Sequence, residues 1–200
     1  MIKNIIFDLG NVLLDFNPRN YLKNKIEEKY IENVYEAIFK SKEWPMLDRG
    51  TITEKEAEKN IITRNKEYEN EIKEAFNNWY ELLTPIQISV QILNSLKKKG
   101  YKLYYLSNFH CAAFDYVSDN YDFFKLFDGG VVSYREKLLK PEKEIYMRIL
   151  RRYALNPEES VFIDDTLENV YAAEKCGIRG IHLDDIKLFK EKLINLDIDI

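Results

Sequence analysis

The sequence predicts an α/β fold, a doubly wound parallel sheet with a small helical segment inserted after the first strand. Three observations carry this reading. Short apolar runs that do not alternate, such as Ile5-Ile6-Phe7 and Val161-Phe162-Ile163, suit strands buried on both faces. Beyond residue 84 such runs alternate with amphipathic stretches, the pattern of parallel βαβ units. Between residues 18 and 83 that alternation stops. Glu, Lys and Asn dominate there, with apolar residues at helical spacing.

The first strand is expected over 3–8. It ends abruptly in Asp8, and a turn follows, Leu9-Gly10-Asn11. After Pro18, Ile26, Tyr30, Val34 and Ile38 fall at helical spacing. Past the turn DRGT, the stretch TEKE from Thr53 reads as a capping box, in which a threonine and a glutamate three residues on satisfy each other's free N–H groups. Another helix is expected near Asn70. Together these suggest a four-helix insert without strands. Thr84-Pro85 marks the return to the sheet. A helix over 86–99 is stopped by Gly100, which can take the left-handed conformation of a helix end. YKLYYLSN, GGVVSY, VFIDD and RGIHL then read as strands, with helices beginning near Pro141 and Thr166. The expected division is 1–17 with 84–200 for the sheet, and 18–83 for the insert.

A chain of 200 residues with 46% apolar residues supports one domain with a modest insert. Its net charge is −4, and its basic residues are interleaved with Glu, as on solvated helix faces. That balance speaks against nucleic acid as a partner. No apolar stretch approaches the ~20 residues of a bilayer span, and no secretory leader is expected. Cys111 and Cys176 lack metal-ligand spacing and read as free thiols of a cytoplasmic protein.

The chemistry lies at the strand ends. In open α/β sheets ligands bind at the carboxyl ends of the strands. Here those ends carry Asp8, Ser107-Asn108 and Asp164-Asp165, with Lys140 just before the helix that begins near Pro141. A lone buried carboxylate is costly unless it is paired, bound to metal or chemically employed. Adjacent aspartates repel unless a cation relieves them. Three carboxylates, a hydroxyl, an amide and a lysine suit phosphate chemistry with a hard cation, because Mg²⁺ prefers oxygen ligands and shares them with phosphate. No histidine or cysteine cluster favours zinc.

Four motifs in order, FDLGNVLLD, LYYLSN, KPEKEIY and FIDDTLEN, resemble the haloacid dehalogenase (HAD) superfamily, in the branch with a helical cap on a Rossmann-like core. The sequence is most similar to phosphatases carrying D-x-G-N-V, alpha-glucose-1-phosphate phosphatases among them, and the phrase WPMLDRGTITEKE resembles their cap. The resemblance implies Asp8 as the nucleophile that forms an aspartyl-phosphate. It implies Mg²⁺ held by Asp8, the Gly10 carbonyl and Asp165, with Asp164 assisting directly or through water. It implies a phosphoryl group held by Ser107, Asn108 and Lys140. Asn169 takes a position often occupied by Asp.

The chain also departs from the pattern. The common motif is D-x-D, whose second Asp protonates the leaving oxygen and then activates water. Gly10 stands at that position. Three readings follow: Asp15 or Asp48 substitutes, a sugar 1-phosphate needs less help, or catalysis is lost. The last would make the chain a catalytically weak domain binding a phosphorylated ligand or a protein partner. A dehalogenase is disfavoured, because an Asp164-Asp165 pair that assembles a metal fits phosphate better than a neutral haloacid. Lys137 replaces a frequent Gly and would add positive charge near the entrance. Trp44, Asp48, Arg49, Trp79, Tyr80 and His110 are the candidate contacts to substrate. The expectation is a Mg²⁺-dependent phosphatase of a small phosphorylated metabolite, with sugar phosphates among the candidates.

Overall fold

The computed structural model describes residues 1–200. Seven strands form: β1 (Asn4–Phe7), β2 (Leu14–Asp15), β3 (Thr84–Pro85), β4 (Lys102–Ser107), β5 (Gly129–Val132), β6 (Ser160–Asp164) and β7 (Arg179–His182). Five of them make one parallel sheet in the order β5-β4-β1-β6-β7. β1 is central. The chain moves outward from it first to β4 and β5, then to β6 and β7 on the other side. That reversal opens a crevice at the carboxyl end of β1, where a doubly wound sheet binds its ligand.

Side chains along the central strands alternate between two apolar layers. Ile5, Phe7, Leu103, Val161 and Ile163 pack on one face. Ile6, Leu106 and Phe162 pack on the other, against Ile145, Tyr146 and Ile149. Both faces are thus covered, which is why these strands lack a polar alternation in sequence.

Between β2 and β3 lie α1 (Pro18–Lys23), α2 (Ile31–Phe39), α3 (Glu43–Arg49), α4 (Glu54–Arg64) and α5 (Glu69–Phe76). The insert therefore holds five α-helices where four were expected. α1 is six residues long, too short to show a period, and Asn17 caps it by accepting from the Asn20 N–H. The spacing from Ile26 to Ile38 suggested one continuous face. Instead the chain passes through a 3₁₀ turn at Glu28–Tyr30, and only Val34 and Ile38 of that set are buried on α2. The capping box at Thr53 forms as expected: its N–H donates to Glu56 at 2.8 Å, and its hydroxyl accepts from the Glu56 N–H at 3.2 Å.

The two crossings between insert and sheet are paired with each other. β2 and β3 are antiparallel, Leu14 opposite Pro85 and Asp15 opposite Thr84. This two-strand ribbon is too short to be read from periodicity. The remaining helices are α6 (Gln87–Lys98), α7 (Cys111–Asn120), α8 (Ser133–Glu136), α9 (Lys143–Arg152), α10 (Leu167–Glu174) and α11 (Phe189–Ile194). The expected strand GGVVSY stops at Val132, because Ser133 turns into α8. No helix is long and apolar enough to cross a membrane.

Candidate active site

The parallel register sets Phe7 opposite Tyr105 on one side and Ile163 on the other. One residue further stand Asp8 on the central chain and Asp164 at the end of β6, and Ser107, two beyond Tyr105, ends β4 beside them. Asp8 is buried, and its Oδ1 accepts three hydrogen bonds: from the Leu9 N–H at 2.8 Å, the Ser107 hydroxyl at 2.6 Å and the Lys140 ammonium at 2.7 Å. Its Oδ2 accepts none from the protein.

Lys140 is the hub of a buried triad. Its Nζ also donates to Asp164 Oδ2 at 2.6 Å. Asp164 is fully buried and saturated: Oδ1 accepts from the Thr166 N–H at 2.8 Å and from Asn169 at 3.0 Å, and Oδ2 accepts from Asn169 at 3.1 Å. An aspartate at 169 would face Asp164 with like charge, whereas an asparagine donates to it. Burial alone would lower Lys140, but Asp164 and Asp8 outweigh it and hold the ammonium above the ordinary lysine range. Burial pushes Asp8 up to about 7, against the pull of Lys140 and with a further push from Asp164.

Asp165 is half-buried. Its Oδ2 accepts from the Asn11 amide at 2.9 Å, and the Asn11 Oδ1 accepts from the Phe16 N–H at 3.1 Å. Asn11 has φ +52°, a left-handed conformation that asparagine tolerates better than most residues. The sequence reading missed its role in fixing Asp165. The signal was there, a short polar residue in the turn straight after Gly10.

Carboxylate oxygens of Asp8, Asp164 and Asp165 lie within 4.8 Å of one another. Three carboxyl groups share a largely buried site with a single ammonium, and the ligand atoms they offer are all oxygens. That donor set fits a hard divalent cation such as Mg²⁺. With Asp164 saturated by protein donors, Asp8 and Asp165 are the carboxylates with oxygens to spare.

The other candidates sort into three groups. Asn108 donates to the Lys140 carbonyl at 3.1 Å and accepts from the Lys140 N–H at 2.8 Å, so it fixes the lysine's backbone. Gly10, Trp44, Asp48, Trp79, Asn108 and His110 line one cavity of about 130 Å³ with Phe16, Leu83 and Phe109. Asp15, Arg49 and Tyr80 stand outside it. Asp15 is exposed on β2 and lines a separate depression with Asn17 and Tyr21. Arg49 is tied to Glu142 and donates to the Lys137 carbonyl at 3.0 Å. The side chain of Tyr80 packs on Tyr116, with ring centroids 4.8 Å apart. Lys137 is likewise committed, its ammonium bound to the Gly50 carbonyl, and its φ of +60° explains why a glycine suits that position.

In the cavity wall, His110 is wedged beneath two tryptophans, its ring centroid 4.3 Å from Trp44 and 4.9 Å from Trp79. It is 2% exposed, and neither ring nitrogen has a hydrogen-bond partner. Burial holds it neutral, down to about 3, with the Trp44 backbone working the other way. The hydroxyl of Ser133, a residue not singled out from sequence, donates to the Asp48 carbonyl and accepts from the Phe109 N–H at 2.9 Å. It fixes the end of α3 to the loop that carries His110.

A doubly wound sheet with a carboxylate, a lysine and an acidic pair at one crevice defines a hydrolase of the phosphate-handling kind. Comparison with known proteins agrees. The model for haloacid dehalogenase-like hydrolases matches residues 2–177. A sesquiterpene phosphatase of Aspergillus oryzae is 30% identical over 92% of this chain and 90% of its own length. A HAD family enzyme of Bacteroides thetaiotaomicron, solved with magnesium and inorganic phosphate, is 27% identical with a TM-score of 0.69, covering 90% of this chain and 93% of that one. L-2-haloacid dehalogenase of Xanthobacter autotrophicus shares the fold, at 16% identity and a TM-score of 0.65, over 90% of this chain and 76% of that one. The chain belongs to the haloacid dehalogenase-like hydrolase family. It is a phosphoric monoester hydrolase of that family, with Mg²⁺ as cofactor.

Proposed function

We propose that the protein hydrolyses the monophosphate ester of a small alcohol, through an aspartyl-phosphate on Asp8. The observation that carries this reading is the Asp8 carboxylate: one oxygen is held by three donors and the other is free of them, at the carboxyl end of β1 beside the acidic pair. Asp8 and Asp165 with the Gly10 carbonyl would hold Mg²⁺, which supplies positive charge between an anionic nucleophile and an anionic ester. Lys140 and Ser107 hold Asp8 in place and are near enough to bind the phosphoryl oxygens. Asp164, Asn169 and Asn108 keep Lys140 extended and charged.

Residues 18–83 act as a cap over the core formed by 1–17 and 84–200, and the β2–β3 ribbon is the hinge. The cavity of about 130 Å³ is smaller than the ~300 Å³ of ordinary ligand pockets, so the leaving group is small. Its aromatic walls, with one carboxylate and one imidazole, suit a leaving alcohol that has both apolar and hydroxyl faces. A sugar phosphate has that character. A cytoplasmic location fits the two free cysteines.

The test is phosphate release from a panel of sugar phosphates, polyol phosphates and aryl phosphates, with Mg²⁺ or EDTA, for wild type and Asp8→Asn. Release that needs both Mg²⁺ and Asp8 supports the reading. A folded, Mg²⁺-loaded protein that releases phosphate from none of them contradicts it.

A further inference from the structure

We propose that Asp48, carried on α3 of the insert, is the general acid and base of the reaction and replaces the side chain missing at Gly10, with His110 as its positioning residue. The inference rests on the phosphatase reading and identifies a residue which that reading leaves open.

The geometry has three parts. First, the space at Gly10 is vacant: a Cβ at this position would meet no atom within 4 Å. Second, Gly10 and Asp48 line the same cavity, one from the turn after β1 and the other from α3, while Asp15 lies in a different depression. Third, Asp48 is held there from both sides. Ser133 binds its backbone carbonyl, Arg49 next to it is tied to Glu142, and His110 Nε2 lies 3.4 Å from its Oδ1. His110 is buried and lines this cavity, its Nδ1 has no partner and its Nε2 has only the 3.4 Å approach of Asp48, short of a hydrogen bond, a polar feature that packing alone leaves unexplained.

Asp8, Lys140 and His110 are the titratable groups that face Asp48. Burial pushes Asp48 up to about 7, Lys140 opposing and Asp8 adding to the shift, so the side chain can hold a proton near neutral pH and still give it up. His110 stays neutral there and therefore does not compete as an acid.

The proton account closes. The Asp8 carboxylate attacks phosphorus, the P–O bond to the alcohol breaks, and Asp48 gives its proton to the departing oxygen. Asp48, now a carboxylate, takes a proton from the water that attacks the phosphorus of the acyl phosphate. The P–O bond to Asp8 breaks, Asp8 returns as carboxylate, and Asp48 is protonated again. One water is consumed, and the alcohol and inorganic phosphate leave.

The experiment uses a series of graded leaving groups: p-nitrophenyl, phenyl and benzyl phosphate, with Mg²⁺. An acid matters most when the leaving alcohol is a poor one. Asp48→Asn should lose about 10²–10⁴-fold in kcat on benzyl phosphate and no more than about tenfold on p-nitrophenyl phosphate. His110→Phe should show the same selectivity in weaker form. Equal losses across the series for Asp48→Asn would overturn the proposal, because a merely structural role lowers all substrates alike. No loss at all would overturn it too. Gly10→Asp in the Asp48→Asn background should restore benzyl phosphate turnover, since position 10 has room for the side chain. If Asp48→Asn does not fold, the wild type decides: a shallow dependence on leaving group supports the proposal and a steep one overturns it. The phosphatase reading fails separately, if wild type releases no phosphate from p-nitrophenyl phosphate or if Asp8→Asn still does.

Discussion

At the strand ends, Asp8 Oδ1, Lys140 and Asp164 spend their hydrogen bonds on one another and on Ser107, Thr166 and Asn169. In the cavity wall, Trp79 and His110 are buried and Trp44 and Asp48 half-buried, His110 makes no hydrogen bond, and Asp48 lines the same cavity as Gly10. The two regions solve the burial of polar groups differently. The floor pairs most of its polar atoms with one another and is fixed before a ligand arrives. The wall leaves polar atoms unpaired, at a cost of roughly 1–3 kcal/mol each, and that cost is recovered only when a ligand engages them. On the reading proposed above, the nucleophile thus sits in the part that does not change, and the general acid with the contacts to the leaving alcohol sits in the part that is incomplete.

Substitutions should expose the contrast. Asp8→Asn should abolish turnover while the fold persists, measured by phosphate release and circular dichroism. Lys140→Ala leaves Asp8 and Asp164 facing each other without a counter-charge. It should cost about 3–5 kcal/mol of stability in denaturant titration, and Mg²⁺ should restore part of that. In the wall the sign reverses. Asp48 ionises near 4 when unfolded but near 7 when folded, so the folded state holds its proton more tightly. This contribution to stability is lost as pH rises from about 4 to about 7. In EDTA, Asp48→Asn should therefore be more stable than wild type at pH 8, by up to about 4 kcal/mol for a rise from about 4 to about 7, with the gap closing towards pH 4. Arg49→Ala, at a half-exposed ion pair, should cost no more than about 1 kcal/mol. A large loss there would mean that the grip of α3 on the core matters more than the cavity contacts do.

The same contrast explains what could be read from sequence. Asp8, Ser107, Lys140 and Asp164 each stand at the end of a strand or start of a helix, and local pattern plus sheet topology brings them together. The sheet, its reversal and the helical insert were legible for that reason. The cavity wall depends on contacts between distant segments. Arg49 was a candidate substrate contact and Lys137 a charge near the entrance, and they lock onto Glu142 and Gly50. The clamp of the Asn108 amide on the Lys140 backbone is likewise a contact between distant segments that no local pattern shows. Ser133 gave no signal, because a serine at the junction of strand and short helix is an ordinary helix start. Asn11 did give one, in a turn where a left-handed residue was needed. The β2–β3 ribbon has two residues on each side, below the length at which alternation can show.

The most direct test of the central claim is to quench wild-type enzyme in acid during turnover of p-nitrophenyl phosphate with Mg²⁺, digest it and find the modified peptide by mass spectrometry. The account expects one phosphoryl group on the peptide that carries Asp8, absent from Asp8→Asn and absent in EDTA. A phosphoryl group on another residue, or full turnover by Asp8→Asn, would contradict it.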